Sequence, residues 1–182
     1  MENQQKANLE YALKWGLIYG MVNILIYLLA YLINKPMMVE WWFGLVSLAL
    51  NITILSFALI GRRKELGGLI SFGDAFLVCF VVIIGGGLLQ SIFNYVLYNI
   101  IDPSLAEYIK TKAIESATAM MEKFGTPQES IEKAIGDIDK KDFSQTPARI
   151  GEQYFFTIIF GGVIALIMAA IFKKNKKIID IQ

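Results

Sequence analysis

The residues best suited to chemistry lie in one short polar segment, which runs from Arg62 to Asp74. Ser71 and Lys64 are the residue types of a serine–lysine pair, in which an amine activates a hydroxyl nucleophile. Asp74 is a lone carboxylate at the start of an apolar stretch, where it could bind a cation or carry protons. The simpler interpretation is that Ser71 and Asp74 form a helix-start cap, which satisfies first-turn amides at the positive end of a helix. We favour the cap, because it explains both residues without a further assumption.

Other catalytic and metal-binding patterns are missing from the sequence. It contains no histidine, which is the commonest metal ligand and the commonest general base. Its single cysteine, Cys79, excludes an intrachain disulfide. No phosphate-binding loop and no Gly-x-Ser-x-Gly, His-Glu-x-x-His or Cys-x-x-Cys motif occurs. We therefore predict a protein that is not an enzyme and has no catalytic residues, no metal site and no cofactor.

Four apolar stretches must position the polar residues, and they run over about 12–33, 41–60, 75–98 and 150–172. At roughly twenty residues, each can cross a hydrocarbon core as a helix, which satisfies every backbone polar group internally. Hydrophobic residues make up 55% of the chain and charged residues 18%, which suits a membrane protein. We predict an all-α fold, an integral membrane four-helix bundle that forms a single membrane domain over residues 1–182.

Basic residues predict how the bundle lies in the membrane. They flank the first, second and fourth stretches on one side: Lys6, Lys14, Arg62, Arg63, Lys64, Lys173, Lys174, Lys176 and Lys177. Since positive charge favours the cytoplasmic side, we expect a multi-pass protein of the cell inner (plasma) membrane with both termini cytoplasmic. Arg62, Arg63 and Lys64 also read as a basic, lipid-facing anchor for anionic head groups. The first stretch is longer than the apolar core of a signal peptide and no cleavage site follows it, so we expect it to be retained.

The segment 102–147, between the third and fourth stretches, should then lie outside as an amphipathic helical hairpin. Ser104-x-x-Glu107 predicts a capping box for its first helix, and Thr126-x-x-Glu129 predicts one for its second. Gly125 is a plausible terminator between them. The apolar stripes of the two helices suit packing on each other and on membrane lipids, which is the simpler reading. The alternative is a docking surface for a protein partner, for a lipid or for a second copy of the chain.

Four amide side chains form a candidate intramembrane polar cluster: Asn23, Asn51, Gln90 and Asn94. Amides and small residues such as Gly16 and Gly20 are what helix packing in lipid requires. A polar permeation path would use the same residues. We favour packing, because no charged side chain accompanies the amides within the bilayer.

The polar segment also carries a family resemblance. The run Lys-Glu-Leu-Gly-Gly-x-Ile-Ser-Phe-Gly-x-Ala-Phe over 64–76 resembles the signature of the domain-of-unknown-function 4199 family, membrane proteins found mainly in Bacteroidota. The similarity extends through Asn94-Tyr95, the Ile101-Asp102-Pro103 exit and the lysine-rich tail. It implies four transmembrane helices with a helical insert before the last, and it implies no activity.

Two functional hypotheses follow from the sequence. The first is a non-catalytic membrane protein that acts through protein partners or lipids. The alternative is a small transporter or channel, with a cavity around the intramembrane amides or between the copies of an oligomer. The formal net charge of +1 indicates no nucleic-acid partner. A tightly packed glycine seam would favour the first hypothesis, and a wet cavity lined by the amides would favour the second.

Overall fold

The structure, a computed structural model, describes residues 2–174, and this part of the chain folds into six α-helices. In chain order they are α1 (Glu2–Ile33), α2 (Trp41–Glu65), α3 (Phe72–Val96), α4 (Leu105–Lys123), α5 (Gln128–Asp139) and α6 (Pro147–Phe172). A 3₁₀ turn (Lys35–Val39) joins α1 to α2, and a π turn (Leu97–Ile101) extends α3. Four of the helices, α1, α2, α3 and α6, are long and apolar enough to cross a membrane. The predicted all-α class with four spans is confirmed.

Two of the helices extend beyond the apolar stretches that the sequence marks as spans. Helix α1 begins at Glu2 rather than near residue 12, and α2 continues through Glu65 rather than ending near residue 60. The extra turn of α2 carries basic residues, which are favourable at the negative end of a helix. Gly67 and Gly68 then stop α2 with positive φ angles of 73° and 87°. Their amides donate to the carbonyls of Lys64 and Arg63 in a Schellman motif.

Helix α3 is the central element and contacts α1, α2 and α6. Its seam with α1 is a backbone contact made by glycines. A Cβ atom added to Gly20 would lie 3.0 Å from the carbonyl oxygen of Gly86, and one added to Gly86 would lie 2.9 Å from that of Gly16. Small residues allow such close approach in lipid, where packing rather than apolar burial holds helices together. The main core of buried side chains adjoins this seam and includes Leu55, Leu59, Val78, Cys79, Val82 and Met168.

Helix α2 joins the bundle mainly through its C-terminal half. Leu55, Ala58 and Leu59 are buried, whereas Trp41 and Leu45 at the other end are 62% and 56% exposed. Nothing lies within 4 Å of a Cβ built on Gly44. The first turns of α2 therefore present apolar surface that the described part of the chain does not cover.

The π turn places the insert against the end of α3. The amide of Asp102 donates to the carbonyl of Leu97 at 2.8 Å, five residues back. Leu97, Tyr98, Leu105 and Ile109 form a second, smaller buried cluster beneath the start of α4. This cluster holds α4 beside the α1–α2 connection.

The insert contains the two expected helices, but neither has the predicted capping box. Ser104 has helical backbone angles, and its hydroxyl donates to the Asp102 carboxylate at 2.6 Å instead of capping α4. Pro127 rather than Thr126 precedes α5, and no side chain caps that helix. Gly125 ends α4 with a φ of 68°, as its position suggested. An ion pair of 3.0 Å between Lys110 and Asp139 links the first half of α4 to the end of α5.

Candidate functional site at the loop end of the bundle

The most connected polar group of the described chain lies where α1 and α2 meet the start of α3. We call it the Asn8 cluster, and its members are Gln4, Asn8, Arg62, Glu65, Ser71 and Asp74. Asn8 is fully buried at its centre. Its amide nitrogen donates to Asp74 Oδ1 at 2.6 Å, and its amide oxygen accepts from Arg62 Nε at 2.7 Å. One neutral side chain thus joins a cation on α2 to an anion on α3.

The backbone explains how these side chains meet. Asn8 lies four residues before Ala12, which is fully buried in the main core, so both residues face the bundle. Tyr11 of the same helix donates to the carbonyl of Ala58 at 2.9 Å and places its ring 5.4 Å from the Arg62 guanidinium. A Cβ on Gly61 would collide with the Tyr11 hydroxyl, so glycine permits this approach. The result is a packed contact between the first turns of α1 and the last turns of α2.

Ser71 and Asp74 form the predicted helix start of α3, and Asp74 also accepts hydrogen bonds from side chains of α1. The Ser71 hydroxyl accepts from the amide of Asp74 at 3.1 Å and donates to its carboxylate at 2.6 Å. The same carboxylate accepts from Asn8 and, at 3.1 Å, from Gln4. Asp74 therefore ties α1 to the first turn of α3. A cap alone does not describe its role.

The position of Arg62 differs from the predicted lipid-facing anchor, because this side chain is buried. Its side chain is only 8% exposed, and its second nitrogen donates to Glu65 at 2.6 Å. A buried cation must be paired and hydrogen-bonded, which Asn8 and Glu65 provide. Arg63 is half-buried and Lys64 is exposed, so these two keep the surface position that was expected of all three.

The hydrogen bonds of this cluster connect three helices and bear on the chemistry that the sequence suggested. The Ser71 hydroxyl is hydrogen-bonded to a carboxylate, and no contact joins it to Lys64 in the described chain, so the serine–lysine pair is not assembled. An open groove of about 390 Å³ runs beside the cluster, and Gln4, Ser71 and Asp74 are on its wall. Asp74 could exchange its Gln4 and Ser71 donors for a cation entering there. Among the described residues no group of three or more His, Cys, Asp or Glu could hold a metal ion.

The four intramembrane amides lie in two separate pairs. Asn23 donates from one nitrogen to the Asn51 side chain at 2.8 Å and to the carbonyl of Tyr19 at 2.8 Å. This contact links α1 to α2. Gln90 instead donates to Asn94 one turn later on α3, at 2.9 Å. No hydrogen bond joins one pair to the other within residues 2–174, so the structure does not bring the four together as one cluster.

A third polar group closes the opposite end of the bundle. Lys35 donates to Asp102 at 2.7 Å, and its ammonium lies 4.6 Å from the centre of the Tyr31 ring. Tyr31 and Ser104 also donate to the same carboxylate. The hydrogen bond from Lys35 is the largest of the causes that lower the pKa of Asp102 to about 2. The pair fastens the α1–α2 connection to the exit of α3.

Sequence reasoning missed Gln4, Asn8 and Lys35. Gln4 and Asn8 lie in the polar start of α1, Lys35 lies in the short connection after it, and none of the three belongs to a recognised motif. The available signal was the helical register of α1, which places Asn8 on the same side as Ala12 and Gly16. However, the helical register does not predict which residues the Asn8 side chain contacts.

Comparison with known proteins places the chain in a family. The family described as Protein of unknown function (DUF4199) matches residues 14–174, which includes the loop of the Asn8 cluster and all of α2–α6. No curated protein and no solved structure matches the chain. Because the match covers most of the sequence and agrees with the resemblance carried by residues 64–76, the chain belongs to the DUF4199 family.

Proposed function

We propose that this multi-pass membrane protein is non-catalytic and acts through membrane lipids or protein partners. The observation that carries the proposal is the α1–α3 seam, where the Gly16, Gly20 and Gly86 backbones are in contact. A seam closed by backbone leaves no space for a solute between these helices. The Asn23–Asn51 pair supports the same view, because the Asn23 amide nitrogen donates to Asn51 across the helix contact and to the carbonyl of Tyr19.

The insert and the loop end provide the surfaces for such a role. We place the protein in the cell inner membrane with both termini cytoplasmic, because Arg63 and Lys64 follow α2 and Lys173 and Lys174 follow α6. Lys176 and Lys177 add to this charge but lie outside the described residues. In this orientation the α4–α5 insert is extracytoplasmic and can meet a protein partner or a second copy.

Cysteine labelling tests the orientation. Lys64→Cys and Glu129→Cys would be made separately in a Cys79→Ser background, since both positions are exposed and Cys79 is buried. In intact spheroplasts, an impermeant thiol reagent should label position 129 and not position 64. Labelling of both after permeabilisation controls for access, and the reverse pattern in intact spheroplasts would invert the topology.

A second candidate function is a small transporter or channel, alone or as an oligomer. One observation favours it: Asp74 lies on the wall of an open groove at the border of a span. A carboxylate there could carry a proton or a cation.

Ion flux distinguishes the two functions. Purified protein in proteoliposomes should pass neither protons nor sodium above the rate of protein-free vesicles, with an ionophore as the positive control. Asp74→Asn keeps the size of the side chain and one acceptor oxygen, replaces the other oxygen by an amide donor, and cannot ionise. A flux in the wild type that disappears in this variant would establish the transporter and refute the non-transport proposal.

A further inference from the structure

A groove of about 490 Å³ lies between the start of α2 and one face of α4. Trp41, Met120 and Phe124 form apolar parts of its wall. Met120 and Phe124 are 46% and 75% exposed, and no other large hydrophobic side chain outside the four spans is exposed in the described chain. Two exposed apolar side chains facing one groove mark a surface that binds something apolar.

The groove also carries one charge of each sign. Glu40 lies beside Trp41 at one wall, and Lys123 lies on α4 at the other. Neither charge has an ion-pair partner within residues 2–174, whereas Lys110 and Lys112 on the same helix α4 are both paired. The groove therefore offers an unused anion and an unused cation to one ligand.

The groove opens onto the uncovered face of α2. Residues one helical turn apart continue from its wall into the span, and all are exposed: Trp41, Leu45, Leu48 and Ile52. Because Trp41 is the first residue of a membrane span, the groove lies at the depth of the lipid head groups, and this stripe lies at the depth of the acyl chains.

We propose that the groove binds a phospholipid with a phosphate and a primary ammonium in its head group, of the phosphatidylethanolamine type. Lys123 meets the phosphate, Glu40 accepts hydrogen bonds from the ammonium, and an acyl chain follows the α2 stripe. A primary ammonium donates charge-assisted hydrogen bonds to a carboxylate, which the quaternary ammonium of phosphatidylcholine cannot do. The head group of an anionic phosphatidylglycerol could offer Glu40 only neutral hydroxyls, which form weaker hydrogen bonds to a carboxylate than an ammonium does. This inference rests on the proposed function and specifies its lipid.

Tryptophan quenching by brominated phospholipids tests the site. One protein keeps only Trp41, through Trp15→Phe and Trp42→Phe, and a matched protein keeps only Trp42, which does not line the groove. In mixed vesicles, brominated phosphatidylethanolamine should quench Trp41 with an apparent affinity about two- to fivefold above that of brominated phosphatidylcholine, the range of one exposed charge pair. Trp42 should show no preference.

Charge variants in the Trp41-only protein assign the two ends of the lipid. Glu40→Gln should abolish the preference for phosphatidylethanolamine and raise the affinity for brominated phosphatidylglycerol. Lys123→Gln should weaken the binding of every phospholipid. Glu132→Gln and Lys133→Gln, which alter exposed charges on α5, serve as matched controls and should change nothing.

Two results would overturn the proposal. Equal quenching of Trp41 by all three lipids would mean that only the general lipid annulus contacts the groove. A Trp41 that no lipid quenches, in a protein with the mass of a dimer, would mean that a second copy occupies it. Neither result changes the expected flux, so the lipid site can fail while the non-transport function stands.

Discussion

Replacing Gly86 by alanine tests the seam on which the proposed function rests. The new Cβ would meet the Tyr19 ring, the carbonyl oxygen of Gly16 and the amide of Gly20, the last two at 2.9 Å. The Gly16 oxygen and the Gly20 nitrogen are backbone atoms, so they cannot rotate away as a side chain could. The neighbouring Gly85 is the matched control, because its nearest atom is the Cα of Gly16 at 4.0 Å.

The comparison isolates the cost of the clash. Alanine is favoured over glycine in a helix by about 1 kcal/mol, and this gain applies equally to both variants. Overpacking a tight site costs about 1–3 kcal/mol, and only Gly86→Ala incurs it. The free energy of unfolding of Gly86→Ala should therefore be lower than that of Gly85→Ala by about 1–3 kcal/mol.

Unfolding by titrated sodium dodecyl sulfate in mild detergent, followed by tryptophan fluorescence, measures this difference. Gly44→Ala provides a second control in open surroundings and should behave like Gly85→Ala. If Gly86→Ala and Gly85→Ala unfold at the same detergent fraction, the α1–α3 seam is looser than the structure shows. The argument against a solute path between these helices would then fail.

Three further perturbations probe the polar groups. Asn8→Ala leaves the buried cation and the carboxylate without the amide that joins them and should cost about 3 kcal/mol, whereas the exposed Asn3→Ala should cost almost nothing in the same unfolding titration. Asn51→Leu should lower the folded fraction in detergent by removing the acceptor on α2, and an unchanged fraction would show that the amide pair does not stabilise the bundle. Because the pKa of Asp102 is lowered from 3.8 to about 2, the stability from its pair with Lys35 should be complete above about pH 4 and should fall as the pH drops towards 2. Asp102→Asn should remove that acid dependence of the melting temperature, and a variant that keeps it would assign the dependence to another carboxylate.

The spans could be predicted because the bilayer restricts what a long apolar stretch can do. A stretch such as 75–98 has no alternative to a helix in hydrocarbon, so α3 follows from composition and length alone. The same reasoning does not apply to residues outside the hydrocarbon. It gave an apolar stretch that begins near residue 12, since the preceding residues are polar, although helix α1 begins at Glu2.

Of the three predicted capping motifs, only the one at Ser71 forms in the described chain. Ser71 caps α3, with its oxygen 3.1 Å from the amide three residues on. Ser104 has the same motif spacing, yet its hydroxyl bonds to Asp102. The hydrogen bond to Asp102 does not itself prevent capping, since Ser71 donates to a carboxylate and accepts from an amide at once. Ser104 instead has helical backbone angles, which an N-cap residue does not have. Residue spacing therefore predicts a cap correctly only where the backbone of the first residue has the extended angles of an N-cap, as Ser71 has.

The Asn8 cluster shows why the candidate site itself was only half predictable. Arg62 and Asp74 belong to a motif, and both received explanations that need no other helix: an anchor in lipid head groups and a cap. Each explanation uses only residues that are close in the sequence. Nothing in the sequence therefore indicates that a third residue connects Arg62 and Asp74. The connection depends on α1 beginning several residues before its apolar stretch, which places Asn8 beside Arg62 and Asp74. Since Asn8 is fully buried between opposite charges, it couples the first turns of α1 to the α2–α3 loop.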